Sequence, residues 1–392
     1  MSGVDTAARP PSLAAAAILD GVQALAPSIA ARGGDIEAAR RLPADLRAAL
    51  EALGCFRMLL PGSHGGLGIE LPSAMRVLDA LAQADGSVSW TVGIGANGWL
   101  DVSHISRSAF DALYSDGPRT IVGAFNPSGV AVRESDGYRV NGRWAFASGC
   151  QDAHWLYGNC IEGDGSDGTD PQIRLVVFAP EQVEIEDTWT VSGLCGTGSH
   201  HFSVRDVFVP AELTGLVMVS EPCLDEPLLR IPVPALIALE IATVAVGIAT
   251  AALADIVTLA TRKVPLLGPA TLAANSLFQY QLGEADATLR AARSLLYSDA
   301  AATWATALAG DEFTPTVRAH LRAACTWVVA ESTSVVDTAY TAGGGSSLYS
   351  DHPLQRRLRD IHAITQHFLV KLDSLTMAGA VLAGQDVDLS VF

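Results

Sequence analysis

Residues 231–261 read IPVPALIALEIATVAVGIATAALADIVTLAT. Their interpretation decides what kind of molecule the chain makes. About 20 apolar residues suffice to cross a bilayer, so length alone admits a membrane span. Glu240 and Asp255 interrupt the run, and its Ala and Thr residues keep it weakly hydrophobic. A helix apolar on every side, yet carrying acids, fits the interior of a bundle better than lipid. No membrane span is therefore expected, and the chain must supply the other helices of the bundle.

Those neighbours lie downstream. From about residue 227 the pattern stays helical to about Leu382, with breaks at Lys263–Pro269, near Gly310 and at Gly343–Ser347. Four long helices make a bundle the natural arrangement. Upstream, apolar residues recur at helical spacing from Leu13 to Leu53. Gly33 and Gly34 break the first run and Gly54 ends the second. The glycine-rich stretch Leu60–Gly68 follows, and helices resume at PSAMRVLDALAQA and run to about Tyr114. Between the helical parts the pattern becomes short and strand-like: RTIVGAF, GYRVNGRWAFAS, WLYGNCI, IRLVVFA, VEIEDTW and HHFSVRDVFV, separated by turn residues such as those of 162–168. The expected fold is α+β. It has an N-terminal helical domain (1–118), a central antiparallel β domain of barrel or sandwich type (119–226) and a C-terminal four-helix bundle (227–392).

Bulk properties narrow the function. A net charge of −17 over 392 residues repels phosphate backbones and anionic membranes, so no nucleic-acid partner is expected. The six cysteines are scattered, with no CxxC pair, and read as reduced thiols of a cytoplasmic protein. The N-terminus lacks a basic segment followed by a clean apolar one, so no signal peptide is expected. No Walker loop, GxSxG elbow or GxGxxG turn is present; in Gly193–Gly198 the glycines fall in the wrong order. His362 and His367 are five apart on one expected helix, about 140° around its axis, and so do not form a metal pair. No metal site is expected.

Several phrases, in order, resemble the acyl-CoA dehydrogenase family. Leu60-Pro61 through Gly68 is similar to its PxxxGGLG loop. Asp85-Gly86-Ser87 with Trp90 fits the helix after it, and Asn126–Gly129 its first β-domain loop. Gly142–Gly149 looks like its flavin-facing strand, and Trp189–Pro210 like its closing strand pair. Ala342–Gly345 and Arg359-Asp360 look like its C-terminal bundle. The dehydrogenases commonly take the substrate α-proton with a glutamate just after that arginine-aspartate pair. Here the segment reads Arg359-Asp360-Ile361-His362-Ala363-Ile364-Thr365-Gln366-His367-Phe368, with no carboxylate after Asp360. It resembles instead the two-component flavin hydroxylases, the relatives of 4-hydroxyphenylacetate and secosteroid-phenol hydroxylases.

That resemblance implies a monooxygenase using reduced FMN or FAD and O₂ through a C4a-hydroperoxyflavin, acting on a small organic, possibly aromatic, substrate. It also implies a separate NAD(P)H-dependent flavin reductase and a homotetramer. Two alternatives stand beside it: an FAD-dependent dehydrogenase or oxidase acting on a thioester, with Glu240 as its base, and a flavin-binding protein without chemistry. By resemblance His367 stands at the flavin C4a side as a donor, where otherwise it is an ordinary histidine at a subunit contact; His362 is a packing or surface residue. Ser148 meets flavin N5, or else closes a strand. Trp155 packs beside the flavin or fills a core. Thr197 and Ser199 offer hydroxyls to a flavin phosphate or form a tight hairpin. Gly343 and Gly344 approach a neighbouring subunit's cofactor or break a helix. Asn97 and Trp99 face the substrate. Asn97 stands where the phenol hydroxylases usually have a histidine, and an amide hydrogen-bonds but cannot act as a base.

Overall fold

The long apolar segment is a helix of the bundle. The structure, a computed structural model, describes residues 12–163, 172–217, 219–266 and 268–385. The first eleven residues and the glycine-rich turn at 164–168 lie outside the described residues.

Six helices precede the sheet: α1 (Leu13–Ala31), α2 (Gly33–Ala39), α3 (Ala44–Leu53), α4 (Leu71–Ala84), α5 (Gly86–Val102) and α6 (Arg107–Leu113). Helix α1 starts where the Ser12 hydroxyl accepts the Ala15 N–H, and it buries Ala15, Ile18, Val22 and Ile29 on one face. The expected break at Gly33-Gly34 falls one residue earlier, at Arg32, so that Gly33 opens α2. Helix α5 is buried along nearly its whole length. Asp85 caps it, accepting the N–H groups of Ser87 at 2.9 Å and Val88 at 3.2 Å. Gly98 lets α5 lie directly on the sheet, because a Cβ there would strike the Ile121 carbonyl.

The strands are β1 (Ile121–Glu134), β2 (Gly137–Ala147), β3 (Trp155–Glu162), β4 (Ile173–Phe178), β5 (Glu184–Glu186), β6 (His200–Pro210) and β7 (Thr214–Leu216). They form one seven-stranded sheet in the order β5-β6-β2-β1-β3-β4-β7. The expectation of an antiparallel domain needs one correction: β1 and β3 are parallel, with Ile121 opposite Trp155. Residues 148–154 return the chain to the end of the sheet where β1 begins, on the far edge of β1, so β3 sets out in the same direction. Nor is Asn126–Gly129 a loop. It lies inside β1, and the register slips on either side of Pro127, a bulge that tolerates the missing proline N–H. On one side of the sheet Trp144 stacks on Phe202 with centroids 4.9 Å apart, and its indole N–H donates to the Asn159 carbonyl at 2.8 Å.

The helices after the sheet are α7 (Val233–Ala260), α8 (Ser276–Ala309), α9 (Pro315–Gly343), α10 (Pro353–Ile364) and α11 (Asp373–Leu382). Three are long and α10 is short. The most apolar window of α7 is 89% buried against the rest of the protein, which accounts for its composition. Asp79 of α4 ties the N-terminal helices to α8. It accepts from Arg293 at 2.5 Å and from the Tyr297 hydroxyl at 2.9 Å. Helix α10 stops at Ile364, so His362 and His367 do not share a helix. His367 instead caps a short 3₁₀ turn, Phe368–Val370.

Candidate active site

One turn into α5, the Trp90 indole N–H donates to the Ser148 hydroxyl at 3.1 Å. Ser148 follows the end of β2 and is 2.7 Å from the Ser199 hydroxyl, which is 2.7 Å from that of Thr197. Thr197 in turn donates to the Leu194 carbonyl at 2.8 Å. The end of this line fixes the direction of every bond in it. A hydroxyl has one proton to give. Thr197 gives its proton to the carbonyl, so Ser199 must donate to Thr197, and Ser148 must donate to Ser199. Ser148 accepts one bond, from Trp90, and keeps one lone pair for another donor.

The other face of Trp90 meets the C-terminal part of the chain. Its ring and that of His367 pack edge to face, centroids 5.8 Å apart, and Phe368 stacks on His367 at 5.1 Å. Burial first, and the Arg322 charge second, pull the His367 pKa down to about 4. The imidazole is neutral at physiological pH. Its Nδ1 accepts the Leu369 N–H at 3.3 Å, which leaves the ring proton on Nε2 as a donor.

Two acids support the assembly from behind. Asp85 caps α5 and so aims Trp90. Asp360 accepts the Leu194 N–H at 2.6 Å, holding the residue whose carbonyl ends the hydroxyl line. Leu194 has φ +51, a left-handed conformation costly for leucine, so the bond to Asp360 pins a strained turn.

The structure brings together four of the residues singled out in the sequence: His367, Ser148, Thr197 and Ser199. Thr197 ends a 3₁₀ turn and Ser199 immediately precedes β6; both are buried, their hydroxyls are engaged with each other, and Ser199 also bonds Ser148. Trp155 opens β3 and packs against the helical core. Gly343 and Gly344 close α9; the Lys263 ammonium donates to the Gly343 carbonyl and to the Ser346 hydroxyl. Neither Trp155 nor this glycine run joins the hydrogen-bonded group around Ser148. His362 lies at the surface, bonded to Asp337 at 2.8 Å. Asn97 and Trp99 are buried in α5. The Asn97 amide donates to Glu240 of α7, while the Trp99 indole N–H has no hydrogen-bond partner among the described residues.

Two contributors were not legible as such. Trp90 figures in the sequence only as part of a helix phrase, although its spacing of seven from Asn97 puts both on one helix face. Phe146 has φ +67 and is 69% exposed, beside the Ser148 turn. A strained backbone that turns an aromatic ring outward marks a surface shaped for contact.

These residues fit the edge of a flavin ring. Ser148 has a lone pair that would accept a donor such as the N5–H of a reduced flavin, His367 is a neutral donor, and Trp90 packs against both. Residues 15–107 match the acyl-CoA dehydrogenase N-terminal domain and residues 239–372 the acyl-CoA dehydrogenase C-terminal domain. An indole-3-acetate monooxygenase from Pseudomonas putida is 31% identical over 94% of this chain and 93% of its own length. The oxygenase component of an FADH₂-dependent resorcinol hydroxylase from a Rhizobium species is 31% identical, covering 89% of each chain. The solved structure of XiaF from Streptomyces, in complex with FADH₂ and glycerol, superposes with a TM-score of 0.87 at 25% identity, covering 95% of this chain and 96% of that one.

The chain belongs to the acyl-CoA dehydrogenase family. Within it, the chain is a flavin-dependent monooxygenase, an oxidoreductase that works with reduced flavin and O₂.

Proposed function

We propose that this monooxygenase receives reduced FMN or FAD from a separate NAD(P)H-dependent reductase and places one oxygen atom of O₂ on a small aromatic substrate, through the C4a-hydroperoxyflavin that the resemblance implies. Relatives named for indole-3-acetate and resorcinol support an aromatic ring, and the words "oxygenase component" support a separate reductase. The observation that carries the reading is the meeting of Trp90, Ser148 and His367 from three separate parts of the chain. We further propose a cytoplasmic homotetramer. Large apolar side chains exposed on and after the long helices, among them Leu277, Tyr280, Leu348 and Tyr349, support burial between subunits. Light scattering should give four copies per particle, and a monomer at micromolar concentration with flavin bound would refute this.

When bound, reduced flavin supplies the two electrons with which O₂ becomes one substrate oxygen and one water. The protein's part is to hold and shield. Ser148, its own proton already given to Ser199, would accept the N5–H of the reduced flavin. His367, whose Nε2 carries the ring proton, would be the donor to oxygen held at the flavin. Trp90 and Phe368 pack around the imidazole and hold its orientation.

The test is His367→Ala, assayed as oxygenated product per reduced flavin consumed. Acid–base assistance of this kind is worth ~10²–10⁴-fold in rate, so the variant should release H₂O₂ in place of product while still binding flavin. His367→Asn, which keeps a donor but cannot transfer a proton, should recover part of the yield. Wild-type coupling in the alanine variant would make His367 structural and the assignment of the oxygen site wrong.

A further inference from the structure

The segment that carries His367 is held by one side chain from another helix. Helix α10 stops at Ile364 and α11 starts at Asp373. Between them His367 caps the 3₁₀ turn Phe368–Val370, its Nδ1 accepting the Leu369 N–H at 3.3 Å. The carbonyl of that same leucine accepts from Nη2 of Arg322 at 2.9 Å. The same nitrogen donates to the Ser374 hydroxyl, in the first turn of α11, at 3.3 Å. Arg322 comes from α9 and is 4% exposed; Leu369 is 2% exposed. Leu369 thus links the two side chains, its N–H on the imidazole and its carbonyl on the guanidinium.

A buried guanidinium is a costly way to hold a turn, because its charge gives up water. Burial pulls the Arg322 pKa below the usual arginine value. What it supplies beyond a hydrogen bond is charge. Nδ1 of His367 accepts from Leu369 only while the ring is neutral. A second ring proton would sit on Nδ1 and face the Leu369 N–H, donor against donor. Burial is the main force against that proton, and the Arg322 charge adds to it. The rings packed on the imidazole, Trp90 of α5 and Phe368, are uncharged. Helices α7 and α9 also pack on the turn. Glu240 and Asp255 of α7 are bonded to Asn97 and Arg357, and Asp337 of α9 to His362. Lys371 and Asp373, beside the turn, are exposed. The charge that His367 meets is that of Arg322.

We propose that Arg322 is a positioning residue for His367: through the Leu369 peptide it fixes the place of the imidazole, and through its charge it keeps Nδ1 an acceptor, so that the single ring proton stays on Nε2. The use made of that proton rests on the oxygenase reading above. The state of the ring does not, and can be measured without flavin.

The test is the titration of His367 in the flavin-free full chain carrying histidine labelled with ¹³C at Cε1. Its resonance is assigned by its loss in His367→Ala. With a pKa of about 4, the wild-type ring should be only a few per cent protonated at pH ~5.5. Arg322→Gln keeps an N–H for the Leu369 carbonyl and drops the charge. Loss of a like charge at close range should raise the midpoint by about one pH unit, so about a quarter of the rings should be protonated at that pH. Arg322→Lys, which keeps both charge and donor, should titrate as wild type. Arg322→Met loses both. With reduced flavin and O₂ at pH ~8, where the ring is neutral in every variant, its product per reduced flavin should fall about tenfold through misplacement of the donor, while Arg322→Lys stays within about 3-fold of wild type. If Arg322→Met does not fold, the glutamine and lysine variants decide the matter by titration. An unmoved titration in Arg322→Gln, or wild-type coupling in a folded Arg322→Met, would overturn the proposal. Failure of the oxygenase reading looks different: the titration shifts as expected, yet His367→Ala couples as well as wild type.

Discussion

The two ends of the α5 face that carries Trp90 and Asn97 are built on opposite principles. At the Trp90 end every proton has a destination, from the indole through Ser148, Ser199 and Thr197 to a backbone carbonyl. At the Asn97 end one hydrogen bond is made and two buried oxygens are left over. A satisfied network rigidifies and fixes one arrangement, whereas a half-satisfied one is costly until something completes it. The difference separates a closed line of bonds that holds one arrangement from a buried pair with bonding capacity to spare.

The largest effect expected from disturbing this contrast is at Glu240. Its pKa is raised in the folded state from the usual 4.5 to about 8. Its contribution to stability is therefore fully present below pH ~4.5 and is lost as pH rises through about 8. Asp101 and Asp360, each pushed up to about 7 by burial, slope the same way over a lower range. Glu240→Gln removes only the Glu240 share, on the order of 4 kcal/mol across that range. Melting curves from pH 5 to pH 9 should show the variant gaining on wild type as pH rises. Parallel curves would mean that Glu240 titrates like an exposed acid.

Next comes Ser148→Ala, which strikes the satisfied end. It leaves the Trp90 N–H without its acceptor and the Ser199 oxygen without its donor, a loss of about 2 kcal/mol in stability. It also removes the acceptor for N5–H, so H₂O₂ release per reduced flavin should rise about tenfold, the equivalent of one hydrogen bond. Unchanged peroxide release would reduce Ser148 to a residue that closes a strand.

The domain order was readable because helical spacing, strand alternation and clustered turn residues change abruptly along the chain. What escaped depends on contacts far apart in sequence. Asn126–Gly129 has the composition of a loop, yet paired strands on both sides absorb it as a bulge. The parallel β1–β3 pair follows from which edge of β1 the returning chain takes, and no residue type announces that. Helix α10 stops at Ile364 without a glycine or proline nearby, so His367 read as helical. Ser148 and His367 could be singled out through their resemblance to a known family. The contacts between them could not, because Ser148 meets Ser199 from 51 positions away, and Glu240, an interruption of an apolar run and the base of the thioester alternative, turns out to be held by Asn97.

The smallest effect expected is also the most selective. Thr197→Val keeps the shape and removes the hydroxyl between Ser199 and the Leu194 carbonyl. Stability should fall by about 1 kcal/mol. Ser199, having lost its acceptor, can then turn its proton to Ser148, and Ser148 can turn its own outward. A donor would face the N5–H in place of an acceptor. Peroxide release should rise, though less than in Ser148→Ala. If Thr197→Val matches wild type in both stability and coupling, the order of the hydrogen bonds is not set from the Thr197 end.

The carbonyl at the end of that line has a further consequence. A file of hydroxyls can ferry a proton by turning over one after another, but only if the last member can release what it receives. A main-chain carbonyl has no proton of its own to pass on, and here the Leu194 carbonyl also accepts the Trp189 indole N–H at 3.1 Å. The line from Ser148 is thus a cul-de-sac for protons. On the proposed function it would hold the flavin edge without opening a leak to bulk water, and insulation of that kind is what a site needs if its activated oxygen is to outlast the wait for a substrate.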